Sequence, residues 1–221
     1  MTLVADRQAE AWNGPVGPHW AGRQDRYDAM PAGVNDALFG AAAVVPGHAV
    51  GVDISAPLPE RARASTAAEG IANAAYECAD VQVRAFPAGG YDVVVSRGGV
   101  TFLADHAAAF RNLARAPRPG GRLAFVCPRP PGPESSRTRA GSDNEAIVLA
   151  GYEEVTVAPV AVETVWGRGV RGAVEFLLSR VPGGALPASR LAGLEEALRP
   201  LGTGTGVRMR AGVWLVTTVR P

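Results

Sequence analysis

The run Tyr91-Asp92-Val93-Val94-Val95-Ser96 decides the fold. Three consecutive valines without polar alternation mark a strand that is apolar on both faces, as parallel strands are when helices cover both sides of a sheet. Similar short runs lie on either side of it. Upstream are Ala49-Val50-Gly51-Val52-Asp53-Ile54-Ser55 and Tyr76-Glu77-Cys78-Ala79-Asp80, and downstream is Arg122-Leu123-Ala124-Phe125-Val126-Cys127. Between the first two, Pro57 to Glu69 reads as a helix, with proline near its first turn and Gly70 at its end. Ala104 to Ala116 reads as another, stopped by Pro117, Pro119, Gly120 and Gly121. Strands alternating with helices predict a three-layer α/β sheet with right-handed crossovers.

Residues 1–45 predict a helical arm, interrupted at Asn13-Gly14-Pro15, Gly17-Pro18 and Pro31. The arm carries Trp12, Trp20 and Tyr27, aromatics that either pack or form a lid over a ligand. Residues 46–221 are expected to form the sheet domain, with 128–142 as an exposed linker rich in Pro, Gly, Ser and Arg. Further along, a short helix is expected at 143–150 and a long strand at 152–165. Helices follow at 170–180 and 189–198, and a last strand at 212–220. Gly202-Thr203-Gly204-Thr205-Gly206 reads as a flexible turn.

Composition narrows the function classes. With 221 residues, 47% hydrophobic, and a net charge of +1, the chain suits one globular domain with a sizeable core, or one domain plus a small appendage, and excludes global disorder. Near-neutral charge argues against nucleic-acid binding driven by bulk electrostatics. All 22 basic residues are Arg, so Schiff-base chemistry and a P-loop lysine are excluded. Two cysteines and three histidines share no ligand spacing, so no metal is expected. No apolar run reaches the ~18 residues of a membrane helix. Asp6, Arg7 and Glu10 stand where a signal peptide needs an apolar core, which predicts a cytoplasmic protein.

The chemistry-bearing pattern is a pair of acids at strand ends. Ligands of open α/β sheets sit beyond the carboxyl ends of the strands. Asp53 there can accept both hydroxyls of a ribose, or serve as a loop carboxylate before the next helix. Asp80, at the end of the following strand, can accept an adenine amino group, or be a solvated strand end. His19, His106 and Arg97 are the candidate catalytic or anion-holding side chains. Each has an ordinary structural reading as well, and Cys127 reads as a buried thiol. No G-x-S-x-G and no dinucleotide fingerprint occur.

In order, G-V-D-I-S, A-D-V-Q, Y-D-V-V-V-S-R and L-A-R-A-P-R-P-G-G-R-L-A-F-V resemble class I S-adenosylmethionine (SAM)-dependent methyltransferases. The arm Ala11-Trp12-Asn13-Gly14-Pro15 with Trp20 and Tyr27 resembles a small-molecule branch of that family. So does the ending Val174-Glu175-Phe176-Leu177-Leu178 followed by Trp214-Leu215-Val216. The resemblance implies a Rossmann-like sheet with helices on both faces. It implies SAM as cofactor, a small-molecule acceptor, and a homodimer as the candidate assembly. It implies that Asp53 holds the ribose, Ile54 lies beneath the adenine, Asp80 and Val81 meet the adenine edge, and Ser96 and Arg97 lie beneath the methionine part. Trp12, Trp20 and Tyr27 would close over the pocket.

One departure stands out. The family opens its sheet with a strand and a D-x-G-x-G loop, and this chain has neither. Pro46-Gly47-His48-Ala49-Val50 runs directly into Gly51-Val52-Asp53, so the fold is short of about one βα unit. Gly47 and Gly51 remain as the backbone positions able to receive the methionine end of SAM. If Ala49 to Ile54 moved into the central position, Asp53 would lose its ribose role. The alternatives to methyl transfer are a SAM-independent cyclase or isomerase in the same cavity, and a non-catalytic protein that binds a partner.

Overall fold

The computed structural model describes residues 2–129, 147–180 and 185–221, with side chains from residue 7 onward. Helices α1 (Thr2–Asn13), α2 (Val16–Ala21), α3 (Gln24–Ala29) and α4 (Ala32–Ala42) precede the first strand. Strands β1 (Ala49–Asp53) and β2 (Ala74–Cys78), joined by α5 (Pro57–Ala68), pair in parallel as a two-stranded sheet. A second sheet has the order β3 (Tyr91–Arg97), β4 (Pro117–Pro128), β7 (Gly206–Val219), β5 (Glu153–Gly167), with β6 (Gly202–Thr203) against β7. Helix α6 (His106–Leu113) connects β3 to β4, and α7 (Val170–Leu178) and α8 (Ala188–Leu198) lie between β5 and β6.

The apolar run of β4 explains the layering. Alternate residues of a strand point to opposite faces. Leu123, Phe125 and Cys127 pack with Phe110 and Leu113 of α6. Ala124 and Val126 pack with Val34, Leu38 and Ala42 of α4. Helices therefore cover both faces of the larger sheet. Helix α6 starts where Asp105 caps it by accepting from the N–H of Ala108 at 2.8 Å. The Arg-Pro-Gly-Gly-Arg turn bends β4 through Gly120, at φ +72°, while Gly121 sits so close to Arg118 and Asp92 backbone that no Cβ fits.

The strand Ala49 to Asp53 stays beside β2 and does not move next to β3. Its own crossover helix α5 holds it to β2, in the register Ala49↔Ala74 to Asp53↔Cys78. The shortened βα unit therefore appears as a division between two sheets. Three local expectations change. Gly17 and Pro18 do not break the chain but lie inside α2, where Gly17 is pressed on the Trp12 carbonyl and the Ser55 hydroxyl. Residues 202–206 form a hairpin, Gly202 and Thr203 pairing with Val207 and Gly206. Strand β2 ends at Cys78, so Asp80 lies two residues beyond it. The expected linker 128–142 and helix 143–150 fall mostly outside the described residues.

Candidate active site

One cavity of about 1800 Å³ runs between the two sheets and under the N-terminal helices. Asp53, Ile54, Asp80, Val81, Ser96, Arg97 and Gly47 line it, as do Trp12, Trp20 and Tyr27. The fold thus brings the two strand-end acids and the arm aromatics together. It does not bring Gly51, His19 or His106 to the cavity wall. Gly51 is in mid-ladder opposite Tyr76, whose ring lies on its Cα, so it offers no amide to a ligand.

Asp53 ends β1 and accepts a hydrogen bond from the N–H of Ser55 at 2.8 Å. Burial pushes its carboxyl above the ordinary Asp range, and the N–H groups of Ser55 and Ile54 oppose that shift. The strand end is clasped by the arm. Asn13 donates from Nδ2 to the Ile54 carbonyl at 2.9 Å and accepts at Oδ1 from the Ala56 N–H at 2.8 Å. The fully buried Ser55 donates from Oγ to the Trp12 carbonyl at 2.9 Å. Sequence reasoning placed Asn13 in a chain break and in the arm's resemblance motif, and gave it no partner. Its pairing partners lie 41 and 43 residues away, and no local signal announces them.

Asp80 carries an occupant that the A-D-V-Q motif contained in plain view. Gln82 donates from Nε2 to both carboxylate oxygens at 3.0 Å and from its N–H to Oδ1 at 2.8 Å. Its Oε1 in turn accepts from the Asp105 N–H at 2.7 Å. Asn112 of α6 donates to the carbonyls of Val81 and Arg84, both at 2.8 Å. The loop after β2 is thereby held on α6, with the Val81 carbonyl already committed. An adenine amino group reaching Asp80 must share it with the Gln82 amide.

The arm forms a continuous aromatic wall. Trp20 stacks on Tyr27 with centroids 3.8 Å apart, and Trp12 meets Trp20 and Phe102 edge-on at 5.5 and 5.2 Å. Arg180 lies over Tyr27, Trp166 and Phe176 at 5.7 to 5.9 Å. Trp12 and Tyr27 are themselves buried, so part of the arm belongs to the core.

The weaker candidates have structural partners. Arg97 is an ion-pair partner of Asp28 and donates to Asn35 Oδ1 at 3.1 Å, which ties β3 to α3 and α4 instead of presenting a free cation. His19 accepts at Nδ1 from the Arg23 guanidinium at 3.0 Å, which leaves Nε2 to donate to the Tyr27 hydroxyl at 3.3 Å. Burial, then Arg23, lowers its pKa, so it is held neutral with both nitrogens used. His106 sits at the start of α6 with Nε2 3.0 Å from the Val100 carbonyl. Ser96 accepts at Oγ from the Val100 N–H at 3.3 Å. Among the described residues no cluster of His, Cys, Asp or Glu could hold a metal ion, and no helix is long and apolar enough to cross a membrane.

Comparison with known proteins points to methyltransferases. A profile of the methyltransferase domain matches residues 32–121. Nocamycin O-methyltransferase of Saccharothrix syringae is 32% identical over 152 residues, 68% of this chain and 51% of that enzyme. Residues 32–121 are thus similar to a methyltransferase domain, and the wider chain is similar to an O-methyltransferase. It spans about half the length of this curated relative. The fold is also that of solved methyltransferases. Phosphoethanolamine N-methyltransferase 2 of Haemonchus contortus, in complex with SAM, superposes with a TM-score of 0.62 at 13% identity, over 97% of this chain and 60% of that one. A geranyl diphosphate methyltransferase in complex with its diphosphate and sinefungin gives 0.57 at 15% identity, over 100% of both.

The residues present fit the adenosine half of SAM. Asp53 at the end of β1, Asp80 two residues beyond β2, and the apolar Ile54 line the cavity. They do not fit the methionine half. The Gly51 amide is used within the ladder, and Gly47 alone does not make the nest of successive N–H donors that a carboxylate needs.

Proposed function

We propose that this chain binds SAM in the cavity between its two sheets and transfers methyl to a small-molecule acceptor, in the cytoplasm and within specialised metabolism. The observation that carries the reading is the convergence of Asp53 and Asp80 on one cavity walled by Trp12, Trp20 and Tyr27. Asp53 accepts from the ribose hydroxyls, Ile54 supports the base, and Asp80, shared with Gln82, meets its amino edge. When bound, SAM supplies a methyl group on a sulfonium. The chain's own contribution is to position the acceptor and exclude water, which is the main requirement when the acceptor is already nucleophilic. Similarity to nocamycin O-methyltransferase supports a small organic acceptor.

Because the methionine end lacks the amide nest of a glycine loop, the binding deficit should concentrate there. Losing two or three hydrogen bonds to a charged group, at about 1.5–3 kcal/mol each, lowers affinity by orders of magnitude. Calorimetric titration of SAM, S-adenosylhomocysteine and adenosine tests this. All three are expected to bind weakly and within about tenfold of one another, and Asp53→Ala is expected to weaken all three. A large preference for SAM over adenosine would show that the methionine end is held after all. Absence of binding by all three favours the SAM-independent reading, which rests on the missing glycine loop.

A further inference from the structure

Two strand edges border the cavity, and neither is paired among the described residues. Strand β1 bonds only to β2, and β3 only to β4. The ladders show which backbone groups are left over. Ala49 donates its N–H to the Asn73 carbonyl at 2.9 Å, and Asp53 accepts from the Ala79 N–H at 2.8 Å. Residues 49, 51 and 53 therefore serve β2. Backbone groups alternate in direction along a parallel strand, so those of Val50 and Val52 point the other way, into the cavity. On β3, Gly98 donates to the Val126 carbonyl at 3.0 Å, which assigns residues 94, 96 and 98 to β4. The groups of Val93, Val95 and Arg97 point into the cavity.

The slot has the length and lining of a missing strand position. The starts of both strands, Ala49 and Tyr91, and their ends, Asp53 and Arg97, all line it. Val50 and Val95 are 38% and 40% exposed, although each belongs to a run that reads as buried. Ala42 of α4 and Leu113 of α6 wall it, from the two opposite helical layers of the larger sheet. At about 1800 Å³ the cavity exceeds ordinary small-molecule pockets, which run to roughly 300–1,000 Å³.

We propose that this slot accepts an extended segment of another polypeptide, matching the five residues of β1 and seven of β3 and apolar on both faces. A small molecule has few polar atoms and cannot satisfy two rows of N–H and C=O groups. A peptide strand presents donors and acceptors on both edges at the same repeat. The occupant must be apolar on both faces because helices of both layers approach it. The proposal rests on strand pairing and does not depend on SAM binding.

Residue-resolved hydrogen exchange on the full chain tests it. In the free protein the amides of Val50, Val52, Val93 and Val95 should exchange faster than those of Gly51, Asp53, Val94 and Ser96. Adding the synthetic peptide acetyl-Lys-Val-Ile-Val-Val-Ile-Lys-amide should slow the four cavity-facing amides by at least about tenfold. The same peptide with its central valine replaced by proline should not. Three results overturn the proposal: slow exchange in a free monomer, which means β1 and β3 pair directly; slow exchange in a dimer by light scattering, which means a second copy fills the slot; or unchanged rates with the peptide. A parallel SAM titration reads the cofactor proposal separately, so either can fail alone.

Discussion

Strands β4 and β1 are both short apolar runs in one chain, yet they are built differently. Strand β4 has a neighbour on each side and a helix on each face, and Leu123, Ala124 and Phe125 are 0% exposed. Among the described residues strand β1 has one neighbour, and none of its five residues is fully buried. Pairing on both edges and cover on both faces multiply the cost of opening, whereas a strand lacking them opens locally. The larger sheet therefore carries the stability of the fold. The two-stranded unit carries the strand-end acids, held in place by the arm through Asn13 and Ser55.

This contrast can be broken at several points. The largest effect should come from Phe125→Ala, which removes a ring packed against Phe110 at 5.6 Å in the centre of the larger sheet. Denaturant unfolding should show a loss of about 3–5 kcal/mol. A loss below about 1 kcal/mol would mean that the core is not centred there.

Asp80→Ala acts in the other region. If the adenine edge lies at Asp80, calorimetry should show SAM affinity falling about tenfold to a hundredfold, or about 1.5–3 kcal/mol. Thermal stability should change little, since Asp80 lies beyond the strand. Unchanged affinity moves the adenine elsewhere.

Ser55→Ala probes the joint between arm and β1. The buried hydroxyl donates to the Trp12 carbonyl, and its loss should cost about 1 kcal/mol. Proteolysis should then cut the arm faster than the sheet domain. Equal protection of the arm in the variant would mean that the aromatic wall alone holds it.

The smallest effect is a pH slope. Burial raises the Asp53 pKa in the folded state, so folding takes up a proton between the unfolded and folded values. Its contribution to stability is best below the unfolded value, falls as pH rises through the folded value, and is flat above. Asp53→Asn keeps an acceptor for the Ser55 N–H and removes the half-buried charge. It should raise the melting temperature slightly at neutral pH and flatten that slope, while weakening SAM. A variant less stable than the parent at pH 7 would show that the carboxylate charge is itself favourable there.

Much of this could be read in advance from residue order. The three valines of β3 and the run Leu123 to Cys127 announced buried strands because apolarity on both faces is a local property. Gly70 at φ +69° ended α5 as expected, because only its own conformation is involved. The acids Asp53 and Asp80 were legible by their position after apolar runs, and both line the cavity. Less legible were the partners. Gln82 on Asp80, Asn13 on Ile54, and Arg23 and Tyr27 on His19 are matters of three-dimensional proximity. Gly17-Pro18 looked like a break and sits in a helix because Gly17 must pack where no Cβ fits.

By itself the sequence determined that strands and helices alternate, which runs are apolar on both faces, and that no glycine loop precedes β1. Each depends on side chains within a few residues of one another. Only the tertiary structure decided where β1 would go once the βα unit before it was missing. Two outcomes competed: closing the sheet against β3, or staying with β2. The crossover through α5 kept β1 with β2, and the edges of β1 and β3 were left bordering a shared cavity. Strand neighbours are chosen by hydrogen-bonding edges and connecting helices, which are set by topology and not by the residues of any one strand.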